Sequence, residues 1–236
     1  MAYRMEGGCL NVRFEVLGPI DNNVYVIDDG AQAIVVDPTF SADAIEAVLG
    51  GMPVSAIVLT HRHWDHTDAA AELRRRTGAT VIAHELDAPY ITGEKHVLGE
   101  DDHDAQPCPV DHVVRHGDVV QIASMPWKVL HTPGHTPGSM CLYIDPRFGC
   151  HPQGDPLLIS GDTLFFGTIG RTDFVGGSLA DMKRSLKRLA ILRDSTIVLP
   201  GHGDLTTIGD ERVRVFAHYA DDEPDFGCDD DRTVTV

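Results

Sequence analysis

The hexapeptide His61-Arg62-His63-Trp64-Asp65-His66 comes just after the apolar run Ala56-Ile57-Val58-Leu59. A short, uninterrupted apolar run is typical of a buried strand. The residues from about 68 to 77 predict a helix, which Gly78 ends. Four metal-capable side chains therefore stand where a strand turns into a helix. Burying them without a ligand would leave several polar groups without partners, so this stretch predicts a metal site.

Three more residues stand in the same context, each after an apolar strand and beside a glycine. His135 lies in the sequence H-T-P-G-H-T, Asp162 in G-D-T and His202 in P-G-H-G. A neighbouring glycine lets the backbone turn sharply and bring the side chain close to the others. The sequence thus predicts seven ligands, enough for two ions that share one carboxylate and keep open positions for water: His61, His63, Asp65, His66, His135, Asp162 and His202.

The remaining pattern predicts strands in both halves of the chain, with helices between them. Ser41 caps a predicted helix over 42–49, and Ser178 caps an amphipathic helix over 179–192. This arrangement indicates two packed sheets with helices outside. We expect a single domain over 1–236, with a polar loop insertion at about 89–117 and an acidic tail at about 221–236.

Composition limits the function classes. The formal net charge is −17, which argues against binding nucleic acid or an anionic membrane. There is no apolar run of membrane-spanning length and no N-terminal pattern of a secretion signal, so we expect a cytoplasmic protein. The five cysteines form no C-x-x-C pair and are expected to be free thiols.

The motifs H-x-H-x-D-H, H-T-P-G-H, G-D-T and P-G-H-G, in this order, resemble the metallo-β-lactamase-fold hydrolases. The resemblance spans about 22–211 and is strongest to the glyoxalase II-like (hydroxyacylglutathione hydrolase-like) branch, through 161–165, G-R-T-D-F at 170–174 and T-T-I-G at 206–209. It implies an α+β protein, a four-layer αβ/βα sandwich of two mixed sheets flanked by helices, with the metals at one edge.

By the same resemblance, His61, His63 and His135 would hold one metal, and Asp65, His66 and His202 the other. Asp162 would bridge them, and an aspartate there points to glyoxalase II-like enzymes rather than true β-lactamases. Two divalent ions are implied, with zinc expected ahead of iron or manganese. Glyoxalase II has a helical C-terminal region that helps grip glutathione. The residues after His202 are few and acidic here, so the thiol carrier stays open.

The predicted function is hydrolysis of a small-molecule thioester to a free acid and a thiol, by attack of metal-bound hydroxide. Asp65 is predicted to orient that hydroxide as well as bind metal. Two alternatives stay open on the same fold. One is a mononuclear iron persulfide dioxygenase, with ligands at His61, His135 and Asp162, and the other is a lactone or β-lactam hydrolase. The oligomeric state is also open, a homo-oligomer included.

The sequence allows two interpretations for several side chains around the motifs. Arg171 could bind a substrate carboxylate, but an ion pair with Asp173 is favoured slightly. His131 could support the metal turn or contact substrate, and His84 is expected at the surface. Four histidines of the insertion could form a third metal site, but a solvated loop over the active-site mouth is favoured: His96, His103, His112 and His116.

Overall fold

The computed structural model describes residues 10–97, 105–122, 125–145 and 154–219, together with the backbone of 233–235. Two sheets pack face to face in these regions, and helices cover their outer faces. This confirms the predicted α+β class and the sandwich of two mixed sheets flanked by helices. Among the described helices, none is long and apolar enough to cross a membrane.

The first sheet has six strands in chain order, with antiparallel pairing from β1 to β3 and parallel pairing from β3 to β6. Its strands are β1 (Asn11–Leu17), β2 (Asn22–Asp28), β3 (Ala33–Val36), β4 (Val54–Leu59), β5 (Thr80–His84) and β6 (His112–Val114). The helices between them are α1 (Ala42–Leu49), α2 (Trp64–Thr67), α3 (Ala70–Thr77) and α4 (Ala88–Ile91).

The second sheet has seven strands in the order β14-β13-β10-β9-β8-β7-β15. They are β7 (Val119–Ile122), β8 (Met125–His131), β9 (Met140–Ile144), β10 (Leu157–Gly161), β13 (Ile197–Pro200), β14 (Thr206–Thr207) and β15 (Thr233–Thr235). A two-stranded hairpin, β11 (Leu164–Phe165) and β12 (Thr168–Ile169), follows β10. Helix α5 (Leu179–Ala190) precedes β13, and the described chain then continues through α6 (Ile208–Glu211), a π-helical turn (Arg212–Phe216) and α7 (Ala217–Tyr219).

Strand β4 shows how the layers form. Its successive side chains point to opposite faces, so Ala56 and Val58 enter the core between the sheets while Ile57 and Leu59 pack under the helices. Because both faces are covered there, the strand is apolar from Ala56 to Leu59. Trp127 of the second sheet fills the inter-sheet core and is fully buried.

The predicted helix caps are confirmed. The Ser41 hydroxyl accepts from the Ala44 N–H, and Gly50 ends α1 with a φ of 62°. The Ser178 hydroxyl accepts from the Asp181 N–H at the start of α5. Met182, Leu186 and Leu189 form the buried face of this helix.

The helix expected over 68–77 is α3, which begins slightly later, at Ala70, and ends at Thr77 before Gly78 as predicted. A short helix that was not predicted, α2, precedes it inside the metal-ligand stretch, from Trp64 to Thr67. The segment 89–117 is not wholly a loop, since α4 ends at Ile91 and β6 extends the first sheet by pairing with β5. In the acidic tail, the backbone of Thr233–Thr235 forms β15 beside β7, while 221–232 lie outside the described residues.

Candidate metal centre

The seven predicted ligand residues meet at one edge of the two sheets. His61 and His63 follow β4, while Asp65 and His66 lie in α2. The other three come from the second sheet, after the ends of β8, β10 and β13: His135, Asp162 and His202. Six of the seven side chains form two groups whose donor atoms lie within 4.8 Å of one another, and Asp162 stands between the groups.

The first group consists of His61, His63 and His135. The Nδ1 atom of His63 lies 2.8 Å from the Nε2 atom of His135. Nε2 of His61 is buried and has no hydrogen-bond partner. An imidazole nitrogen buried without a partner costs free energy, and a metal ion would remove that cost.

The second group consists of Asp65, His66 and His202. Nε2 of His66 lies 3.2 Å from both Nε2 of His202 and Oδ2 of Asp65. The distance from Nε2 of His202 to Oδ2 of Asp65 is 3.4 Å. Three donor atoms thus surround a common point.

Asp162 offers an oxygen to each group. Its Oδ1 lies 3.4 Å from Nε2 of His66, and its Oδ2 lies 3.3 Å from Nε2 of His135. Oδ1 is buried and makes no hydrogen bond. A carboxylate in this position can contact two cations at once.

The hydrogen bonds made by the Nδ1 atoms of His66 and His202 indicate that their Nε2 atoms face a cation site rather than a packed core. Nδ1–H of His66 donates to Oδ2 of Asp37 (3.0 Å), and Nδ1–H of His202 donates to the carbonyl of Ile20 (3.0 Å). When both rings are neutral, two Nε2 lone pairs face each other 3.2 Å apart. Such a pair of acceptors needs a cation between them, either a proton or a metal ion. The donor set of imidazoles and carboxylates therefore fits divalent metals.

The pKa values of the ring nitrogens follow from burial and from the two carboxylates. Burial, aided by the neighbouring histidines, holds the pKa of His61 well below its ordinary value, and burial lowers the pKa of His135 to about 4. Burial also opposes protonation of His66, but Asp162 and Asp65 outweigh it and raise its pKa. His61 and His135 are thus neutral at pH 7, the state that binds metal.

Asp37 is a supporting residue that the sequence reasoning missed. It lies close enough to His61 and His66 to resemble a metal ligand. Its oxygens, however, accept from Thr60 N–H (2.8 Å), from the Thr60 hydroxyl (2.7 Å) and from His66. The Thr60 hydroxyl in turn accepts from Nδ1–H of His61 (3.0 Å), so one carboxylate orients two imidazoles. The signal was present in the sequence: Asp37 directly follows the apolar strand β3, as the ligands follow theirs.

Asp87, also missed, ties the metal-bearing loops together. This buried carboxylate accepts from Arg62 N–H (3.0 Å), from the Thr136 hydroxyl (2.6 Å) and from Gly138 N–H (2.9 Å). The Arg62 guanidinium lies 3.6 Å away and donates to the carbonyl of Val175 (2.7 Å). The H-x-H-x-D-H loop and the H-T-P-G-H loop are thus held by the same side chain.

The prediction that His84 lies at the surface is wrong, because only 3% of it is exposed. Its ring stacks on that of His131, with centroids 4.1 Å apart, and burial lowers the pKa of His84 to about 3. His131 Nε2–H donates to the carbonyl of Pro137 (2.8 Å), so His131 supports the turn that carries His135.

The insertion histidines do not form a third cluster in the described part of the chain. His96 lines the cleft below, whereas His112 begins β6 and Nδ1 of His116 accepts from His131 N–H. None of the potential metal-holding groups among the described residues includes these three. His103 lies outside the described residues.

A cleft of about 800 Å³ opens onto the ligand groups. One wall consists of the β11–β12 hairpin, and another consists of residues 90–97 and 105–108. Arg171 lies at its rim, where its guanidinium makes two 2.9 Å hydrogen bonds to Asp173 and lies over the Phe174 ring. Both partners of this ion pair are exposed, so it costs little to open for an incoming carboxylate.

Comparison with known proteins agrees with this geometry. The family model "Metallo-beta-lactamase superfamily" matches residues 17–202. The hydroxyacylglutathione hydrolase GloC of Haemophilus influenzae is 30% identical over 192 residues, which are 78% of this chain and 86% of that protein.

Two solved structures are similar over most of their length. The BLEG-1 B3 metallo-beta-lactamase superposes with a TM-score of 0.74 at 32% identity, covering 87% of this chain and 98% of that chain. TTHA1623 in a di-iron-bound form superposes with a TM-score of 0.70 at 32% identity, covering 85% of this chain and 97% of that chain.

Proposed function

Because this chain belongs to the metallo-beta-lactamase superfamily of metal-dependent hydrolases, we propose that it is a dinuclear enzyme that cleaves a small-molecule thioester into a free acid and a thiol. The observation that carries the proposal is the position of Asp162, which has one oxygen toward each of two donor groups. The relative named hydroxyacylglutathione hydrolase supports the choice of a thioester.

In this proposal His61, His63 and His135 hold one ion, Asp65, His66 and His202 hold the other, and Asp162 contacts both. Zinc is our first choice for the ion. When bound, such ions lower the pKa of water toward neutrality and polarise a carbonyl oxygen.

The chain itself positions the reactants. Asp65 would orient the attacking water, because its Oδ2 contacts His66 and His202 of the second group and accepts a hydrogen bond from the Asn22 amide (2.8 Å), which hold the carboxylate in place. The cleft of about 800 Å³ falls within the range of ~300–1,000 Å³ that small-molecule sites occupy. Arg171 would exchange its exposed contact with Asp173 for a carboxylate of the substrate. A thiol has a pKa of about 8.5, so the thiolate leaves without a dedicated acid.

The test begins with metal quantification on the purified chain, followed by thioesters of several thiol carriers. We expect about two ions per chain and release of thiol that chelation abolishes. Asp162→Ala should remove most activity, and Asp43→Asn, a change at an exposed acid of α1, is the matched control. A correctly loaded protein that hydrolyses none of the thioesters would refute the proposed function.

The similarity to a B3 metallo-beta-lactamase favours a second candidate, hydrolysis of a β-lactam. A chromogenic cephalosporin in the same panel separates the two. The dioxygenase alternative needs only His61, His135 and Asp162, and oxygen consumption with a persulfide tests it. The second group, Asp65, His66 and His202, is complete, which favours the dinuclear proposal because the dioxygenase needs no metal there.

A further inference from the structure

Asn22, at the start of β2, reaches into the second donor group although no metal motif includes it. The side chain is buried, with 1% of the residue exposed, and its backbone bridges to that of His202. Its Nδ2 atom lies 2.8 Å from Oδ2 of Asp65 and 3.4 Å from Nε2 of both His66 and His202. Its Oδ1 atom is buried without a hydrogen-bond partner.

The amide end of Asn22 and the three donor atoms of the second group form a nearly regular tetrahedron. The three distances within the group are 3.2, 3.2 and 3.4 Å, and those to the amide are 2.8, 3.4 and 3.4 Å. The centre of a regular tetrahedron with edges of ~3.2 Å lies ~2.0 Å from each corner, which is the length of zinc–nitrogen and zinc–oxygen bonds. Asn22 therefore occupies a corner of a metal-sized site.

An NH2 group cannot hold that corner beside a cation, because it offers only protons. The two ends of an asparagine amide have nearly the same shape, and a rotation of 180° about χ2 exchanges them. The rotation would place Oδ1, which now has no hydrogen bond, among the donors. We propose that Asn22 is a ligand of the second metal ion and supplies its amide oxygen to the site formed by Asp65, His66 and His202.

An amide oxygen adds a bond to the ion without adding negative charge. The second group already contains Asp65 and shares Asp162. A further carboxylate would neutralise more of the charge of the ion, whereas Asn22 leaves that charge available to act on water and on a carbonyl group. This inference deepens the proposed function, but it concerns metal binding and is tested without substrate.

The test is a zinc titration of the full chain against a competing chelator, with wild type, Asn22→Leu and Asn22→Asp. The leucine has a similar volume but no donor, and the aspartate keeps an oxygen at the corner. Asn11→Leu is the matched control, because the Asn11 amide also donates to an aspartate, Asp28, at 2.8 Å but lies in β1 away from the site. We expect Asn22→Leu to lower the affinity for the second zinc ion by ~10–100-fold and to leave the affinity for the first ion unchanged. Asn22→Asp should still bind both ions.

Two outcomes of the titration would overturn the proposal. If Asn22→Leu holds both ions like the wild type, the amide is not a ligand. If Asn22→Asp loses the second ion as Asn22→Leu does, the NH2 group matters through its hydrogen bond to Asp65 instead.

A crystal structure of the zinc-loaded wild type tests the same point without a variant. We expect Oδ1 of Asn22 at about 2.0–2.2 Å from zinc, and Nδ2 still directed at Asp65 would refute the assignment. Loaded protein with Asn22 bound but no thioesterase activity would refute only the proposed function.

Discussion

Replacing Asp87 by alanine should be among the most destabilising single changes in this protein. The carboxylate is fully buried and accepts hydrogen bonds from Arg62 N–H, the Thr136 hydroxyl and Gly138 N–H. Breaking a buried ion pair by removing one partner costs about 3–5 kcal/mol. Each buried donor that loses its acceptor costs about 1–3 kcal/mol, but these costs overlap with the first because the groups form one network. We therefore expect the free energy of unfolding to fall by about 3–5 kcal/mol.

The assay is urea denaturation of the metal-free protein, monitored by the fluorescence of its two tryptophans, Trp64 and Trp127. Asp87→Asn tests the loss of the carboxylate charge at nearly constant side-chain volume. The amide fills the same space, but it turns an NH2 group toward a backbone N–H. We expect Asp87→Asn to lower the free energy of unfolding by most of the amount that Asp87→Ala does. Asp43→Asn, where the side chain is 85% exposed, should not change stability measurably. A loss below about 1.5 kcal/mol for Asp87→Ala would refute the view that this network holds the two loops.

Three further predictions follow from the same geometry. Asp162→Ala should lower the metal content from two ions to one per chain, measured by elemental analysis, because Asp162 faces both groups; two tightly held ions in the variant would contradict this. Gly138→Ala should destabilise the metal-free protein by about 1–3 kcal/mol in urea, because its Cβ would lie 2.5 Å from Cγ of Asp87; unchanged stability would contradict it. The pKa of His84 is lowered to about 3, so the unfolded state binds a proton below pH 6.5 that the folded state excludes. Stability should fall as pH drops from 6.5, and His84→Phe should reduce the loss between pH 7 and pH 5 by about 2 kcal/mol; equal losses in both proteins would refute this.

The sequence alone identified features that depend on local patterns. The apolar run before His61, the serine caps of α1 and α5, and the apolar face of α5 follow from neighbours within a few residues. The family motifs led to the correct fold class for the same reason, since each motif is a short segment at a strand end. The seven candidate ligand residues could be named because each is a metal-capable side chain in a recognisable local context.

Local patterns gave wrong predictions where tertiary contacts determine burial or secondary structure. His84 is polar and ends a strand, which suggests the surface, but stacking on His131 buries it. The polar segment at 89–117 contains β6, which forms only because β5 offers it an open edge. The helix α2 was likewise not predicted, because its four residues are too few to show a helical period.

Hydrophobic period and capping act over a few positions, so local patterns indicate which residues stand at the ends of strands and helices. Which of those ends meet depends on the packing of the whole chain. Asn22 contacts Asp65, 43 residues along the chain, and His202, 180 residues along. Such contacts arise because strands of two different sheets end at one edge, and strand order and sheet packing are non-local choices that no short stretch of sequence encodes.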